Sequence, residues 1–265
     1  MPYAFFACSL TALSITLIST PLFAADAPVQ TDLPGSFVTA STVESNGIKS
    51  AWYDDATTRY AHGVLGDAVE AGELHAKTVD GKMLSLTLDL KQVFEDIAPR
   101  LADIDGDGRN EIITIRSHNQ KGGQIAVYGV LPSAPDTLSL VASTPYIGQA
   151  YRWLAPVGIA DFNGDGAMDI AYIDRPHLAK ILRVWSYTAK GLQQVAQASG
   201  LTNHRIGHDY ITGGVQHCNN KPAMITVDAN WKRLIKTTFE NGKLNSEDIG
   251  PYTNKASADA AVSCR

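Results

Sequence analysis

Asp103-Ile104-Asp105-Gly106-Asp107-Gly108-Arg109-Asn110-Glu111 and Asp161-Phe162-Asn163-Gly164-Asp165-Gly166-Ala167-Met168-Asp169 are two near-copies of one nine-residue phrase. Each sets side-chain oxygens at relative positions 1, 3, 5 and 9, with glycine at 6. That spacing lets a tight loop wrap one hard cation, and Ca²⁺ takes about six to eight oxygen ligands at roughly 2.3–2.6 Å. Glycine at position 6 permits the positive φ of the sharp turn. The carbonyls of Arg109 and Ala167, at position 7, add a further ligand to each set. Two structural calcium sites are therefore expected: Asp103, Asp105, Asp107, Arg109 and Glu111 in one, and Asp161, Asn163, Asp165, Ala167 and Asp169 in the other. The first carries four carboxylates and the second replaces one with Asn163, so the second is expected to bind more weakly.

An EF-hand begins with the same spacing but needs a bidentate Glu at position 12 and a helix on either side. Position 12 is Thr114 in one loop and Tyr172 in the other. The following segments, Ile112-Ile113-Thr114-Ile115 and Ile170-Ala171-Tyr172-Ile173, are rich in β-branched and aromatic residues and read as strands. Each loop therefore caps a β-hairpin.

The loops start 58 residues apart, and the strand patterns after them recur in the same order, which marks a repeat. Leu101-Ala102-Asp103 aligns with Ile159-Ala160-Asp161, and Gln124–Tyr128 with Leu182–Trp185. Over about 99–200 the chain resembles the FG-GAP/VCBS repeat family, the calcium-loop β-propeller modules also found in integrin α-subunit heads. Degenerate copies are read at 213–227, which has lost every carboxylate, and upstream around His62–Gly72. Strand candidates at 37–41, 48–53, 59–66, 73–79 and 83–88, continuing to about 249, predict an all-β fold with no sustained helical period. The resemblance implies a β-propeller of four blades, or five if the tail completes the early strands.

At 265 residues, 45% hydrophobic and 18% charged, the chain suits one compact domain. A net charge of −5, without a Lys/Arg cluster, offers no footprint for nucleic acid. Residues 5–23 form an apolar stretch ending in small residues, read as a signal peptide over 1–25 although its start lacks Lys and Arg. A flexible leader over 26–35 and a single propeller over 36–265 follow, with no membrane span after cleavage. Export to the periplasm or the medium leaves Cys218 and Cys264 as a pair expected to bridge. The bridge would staple the tail to the degenerate third loop in place of a metal.

The resemblance also implies that the strand entering each loop starts at the opposite face. Residues seven to nine before the first ligand then approach that face: Arg59 and Tyr60, Glu95 and Asp96, Arg152 and Trp153, Asp209 and Tyr210. Charged and aromatic side chains on one rim suit a protein or glycan ligand; the plainer alternative is that they are strand-start residues packing between blades. His204 and His208 have the spacing of helical metal ligands, but Gly207 argues against a helix there. His217 beside Cys218 suggests a soft-metal site, which oxidation of Cys218 would abolish. His62, His75, His118 and His177 show no evident pairing. No nucleophile elbow, zinc-protease motif or phosphate loop is present. The expectation is a monomeric, exported, calcium-binding scaffold or binding module. A metal-dependent hydrolase of phosphate esters or glycans and a surface adhesion component are the alternatives.

Overall fold

A computed structural model describes Met1 and residues 30–40, 47–218 and 221–264. The expected signal peptide lies outside the described residues apart from Met1. Among the described residues the fold is all-β with one short α-helix. Its strands form four antiparallel meanders of four-stranded type in chain order.

The first meander is β1 (Val38–Thr39), β2 (Ile48–Thr57), β3 (Glu70–Thr78) and β4 (Met83–Thr87). In the second, β5 (Gln92–Phe94) and β6 (Arg100–Ala102) share the edge of β7 (Glu111–His118), followed by β8 (Gly122–Leu131) and β9 (Ala134–Ser143). One β3–β5 pair, Ala71 with Phe94, joins these two units into a single sheet. The third unit runs β10 (Leu154–Ala160), β11 (Asp169–Asp174), β12 (Ile181–Thr188) and β13 (Gly191–Ser199). The fourth again has a broken first strand, β14 (Leu201–Thr202) and β15 (Gly214–Cys218), against β16 (Lys221–Asp228). It continues with β17 (Arg233–Glu240) and β18 (Lys243–Pro251).

Stacking of successive units explains the near-continuous apolar runs after each aspartate loop, because a sheet covered on both faces needs no polar side. Ile112, Ala126 and Tyr128 turn towards the first unit, while Ile113, Ile115, Ile125 and Val127 turn towards the third. Ile170 and Tyr172 share that second core, and their neighbours Ala171 and Ile173 face the fourth unit with Leu182, Val184 and Met224. At the β10 bulge, Gly158 adopts φ 151° and its Cα hydrogen faces Val215, so a Cβ there would overlap that side chain. Glycine lets the third and fourth units approach.

Three expectations are corrected. Residues 59–66 are not a strand: they lie in the long β2–β3 connection, where Gly63 and Gly66 take φ of 65° and 105°. The upstream degenerate copy therefore does not sit at 62–72. The connection equivalent to the aspartate loops is β1–β2, of which residues 41–46 are outside the described residues. The end of the expected leader is tied down, with the Thr31 hydroxyl donating to the Tyr53 carbonyl at 2.6 Å and Asp32 N to Asp54 Oδ1 at 3.1 Å. The tail supplies no closing strand; Lys255–Val262 is a helix, α1, whose N-cap Asn254 and Ser257 form a reciprocal capping box. Cys218 and Cys264 are joined by a disulfide, and the Gln216 side chain donates to the Ala261 carbonyl at 2.6 Å, holding α1 against β15.

Candidate functional site

The two aspartate loops fold alike because their first residue organises the backbone. Asp103 Oδ1 accepts from Gly106 N (2.8 Å) and Asp107 N (3.1 Å), and its Oδ2 from Gly108 N (2.9 Å). Asp161 repeats this with Gly164 N (2.7 Å), Asp165 N (3.1 Å) and Gly166 N (2.9 Å). Glycines at positions 4 and 6 all carry positive φ, between 77° and 91°. Loop closure also matches: Glu111 Oε2 accepts from Ile104 N at 3.0 Å, and Asp169 Oδ2 from Phe162 N at 3.2 Å.

Side-chain placement then separates the loops. Asp103, Asp105 and Glu111 bring carboxylate oxygens within 4.8 Å of one another, a convergence of three acidic groups found nowhere else among the described residues. Burial raises Glu111 to about 8, and the Asp105, Asp107 and Asp103 charges add to the shift. Asp105 is raised for the same first reason. Mutual repulsion of this kind is what a cation relieves, and an all-oxygen donor set suits a hard one. Asp107 stands apart because the Arg109 guanidinium holds its Oδ2 and lowers its pKa.

In the second loop Asp169 is fully buried, with Ser186 on one oxygen and the Phe162 and Asn163 amides on the other. Asn163 Nδ2 donates to Asp165 Oδ2 at 2.9 Å. Asp161 is thus taken up by loop amides, Asp169 by two loop amides and Ser186 of β12, and Asn163 and Asp165 by each other, with Ala167 N capping Asp165 Oδ1 at 2.9 Å. At the third position in the series only two residues separate β15 from β16, and Cys218 pairs with Lys221. A cleft of about 640 Å³ lies between the second loop and the ends of these strands, bordered by Asp161, Phe162, His217 and Phe239.

Of the residues expected on the opposite rim, Tyr60, Glu95, Asp96 and Trp153 are buried, Arg59, Arg152 and Tyr210 are partly so, and Asp209 is exposed. Asp96 is a structural anion: it accepts from both Arg100 terminal nitrogens, at 2.7 and 3.1 Å, and from Ile115 N at 3.1 Å. The others partly converge. Trp153 Nε1 donates to the Glu95 carbonyl at 2.8 Å, and Tyr151 N donates to the Tyr60 hydroxyl at 2.9 Å, with the two tyrosine rings stacked.

Sequence reading did not bring the histidines into this group. Glu95 binds His62 Nδ1 and the Ser117 hydroxyl, while His177 Nε2 lies 3.1 Å from His204 Nδ1. His204 Nε2 in turn donates to the His208 carbonyl at 2.9 Å. These contacts join the first unit to the second and the third to the fourth, and have no local spacing to betray them. The one available signal was that His62, Trp153 and His204 each fall in a connection between strands.

Residues 103–172 match the family model of the FG-GAP-like repeat, a span that begins at the first ligand of one aspartate loop and includes the whole of the other. A search of curated proteins finds no match.

Proposed function

We propose that this chain, which carries an FG-GAP-like repeat, is an exported calcium-binding β-propeller that holds a rigid surface for a protein or glycan ligand. The convergence of Asp103, Asp105 and Glu111 carries the calcium reading. Those three carboxylates, with the Arg109 carbonyl, would hold the ion, and its charge would relieve the repulsion among them. The second loop is a weaker site because Ser186, Asn163 and backbone amides already occupy its carboxylates. The propeller reading draws support from four meanders in chain order, each sharing a core with the next. It is also supported by contact between the first and last units, where Gly207 N donates to the Val64 carbonyl at 3.2 Å. A disulfide and the apolar stretch at 5–23 support export to an oxidising compartment. Among the described residues no helix is long and apolar enough to cross a membrane.

Thermal unfolding of the purified protein in millimolar Ca²⁺ and in excess EDTA tests this reading. A midpoint several degrees higher in calcium, and not reproduced by the same concentration of Mg²⁺, is expected. Coincident midpoints in all three conditions would overturn the calcium assignment.

A further inference from the structure

The face away from the aspartate loops holds a pocket of about 160 Å³ lined by His62, Tyr151, Arg152, Trp153, Arg175 and His177. We infer that this pocket binds one hydroxylated carboxylate of single-ring size, a sugar acid such as a hexuronate unit, through Arg152, His62 and His177. This rests on the reading of the chain as a binding module and names its ligand class.

The hydrogen bonds behind the pocket determine what it offers. His204 donates Nε2–H to a carbonyl, which can only accept, so a neutral His204 has a bare Nδ1. His177 therefore donates Nε2–H to it, and its own Nδ1 is left as an acceptor. Burial, with His204 and His62 nearby, lowers His177 to about 4, so the ring is neutral near pH 7. His62 is oriented by Nδ1, which is held by the fully buried Glu95, leaving Nε2 for a ligand.

The cations are unequal. Arg175 is tied to Asp174 by two bonds, at 2.8 and 3.0 Å, in a carboxylate shared with Arg183. Arg152 donates only to the Tyr151 carbonyl, at 2.8 Å, and pairs with no carboxylate among the described residues. Its remaining donors call for an anion, for which a guanidinium matches carboxylate geometry. The imidazole acceptor calls instead for an O–H donor. One ligand bearing both groups satisfies the pocket, whereas an acidic amino-acid side chain brings no hydroxyl. Tyr151, 50% exposed and stacked on Tyr60, presents a ring face for the C–H side of a pyranose. The volume lies below the roughly 300–1,000 Å³ usual for drug-sized ligands, so a single ring rather than an extended chain is the fit.

Titration calorimetry with D-glucuronate, D-glucose, a glucuronate-ended oligosaccharide and N-acetyl-aspartate amide decides the matter, with the calcium midpoint shift read on the same samples. Expected are saturable glucuronate binding, glucose at least about tenfold weaker, and a loss of about tenfold in Arg152→Gln and in His177→Leu, one charge-assisted or acceptor contact each. Tighter binding of the oligosaccharide than of free glucuronate would identify a glycan end as the source, and equal binding a free sugar acid; either supports the inference. No heat from glucuronate in protein that still shows the calcium shift would overturn the inference alone. Equal binding of glucose, or preference for the aspartate derivative, would overturn it in favour of a neutral sugar or an acidic peptide. A missing calcium shift alongside glucuronate binding would instead sink the calcium reading and leave the pocket standing.

Discussion

Asp103 and Asp105 are two positions apart, yet their removal should have separable consequences. Asp103 accepts three backbone amides, at 2.8, 3.1 and 2.9 Å, so it shapes the loop whether or not metal is present. Asp105 accepts one, at 3.2 Å, and is exposed. Solvated bonds of this kind contribute at the low end of about 0.5–1.5 kcal/mol each. Asp103→Ala should therefore cost about 1.5–3 kcal/mol in EDTA and Asp105→Ala about 0.5–1 kcal/mol. Calcium at a hundred times its dissociation constant would add about 2.7 kcal/mol to the wild type. At about 2–4 °C per kcal/mol for a chain of this size, that is a rise of roughly 5–10 °C. Both variants break the three-carboxylate group, so both should lose more than half of that rise, the second loop supplying the remainder. Far-ultraviolet circular dichroism melts in calcium and in EDTA read all the differences. A wild-type calcium shift in Asp105→Ala would show that the convergent carboxylates do not hold the ion. Equal losses for the two variants in EDTA would refute the assignment of Asp103 as the organiser of the backbone.

Glu70, buried and beside the Glu95 charge, is raised to about 10. The unfolded chain releases that proton near the ordinary carboxylate pKa, so folding stability should fall as pH rises from there towards 10. Glu70→Gln should accordingly stabilise the protein by about 1–2 kcal/mol at pH 8 and by nearly nothing at pH 4, measured by urea unfolding. The Cys218–Cys264 bridge spans 46 positions, and its removal by Cys218→Ala/Cys264→Ala should cost about 3–4 kcal/mol. Amide exchange should then show α1 opening before the sheets. Asp96→Ala strips the Arg100 guanidinium and Ile115 N of a buried acceptor. A loss of about 3 kcal/mol is expected, the low end for a broken buried pair because the Arg100 side chain remains 25% exposed. Adding Arg100→Met should restore part of it, and an unchanged double mutant would show that the pair is not the cause.

The aspartate loops, the apolar strands that follow them and the Cys218–Cys264 bond were legible because each is encoded by residues a few positions apart, or by the pairing of the last two cysteines. Residues 59–66 misled for a local reason. His62-Gly63-Val64-Leu65-Gly66 carries strand-like apolar residues, and the positive φ of both glycines is invisible until the chain is folded. Helix α1 escaped because eight residues rich in alanine give no clear period, although Asn254 before Lys255-Ala256-Ser257 is a cap signal. On the opposite face, the sequence offset found Glu95 and Trp153 but implied a rim, whereas the Trp153 indole is spent on the Glu95 carbonyl. His62, His177 and His204 come from three different units, and only the stacking of those units makes them neighbours.

The same hairpin position is secured differently along the chain. In the second unit three carboxylates converge, while the nearby Arg109 guanidinium is bound to Asp107. In the third, Ser186, Asn163 and backbone amides already occupy the carboxylates of the equivalent loop. In the fourth only two residues link β15 to β16, and a disulfide with the Gln216–Ala261 hydrogen bond ties β15 to α1 and the residues after it. If calcium balances the second unit, chelation and reduction should act at different places. EDTA should raise amide exchange first in Gly106–Gly108 and the start of β7, and dithiothreitol in β15 and α1. The two treatments should be nearly additive, because those segments belong to the second and fourth units, whose buried hydrophobic residues share no core among the described residues. Strong non-additivity would mean that the units respond as one cooperative body, and that neither fastening is local to the hairpin it closes.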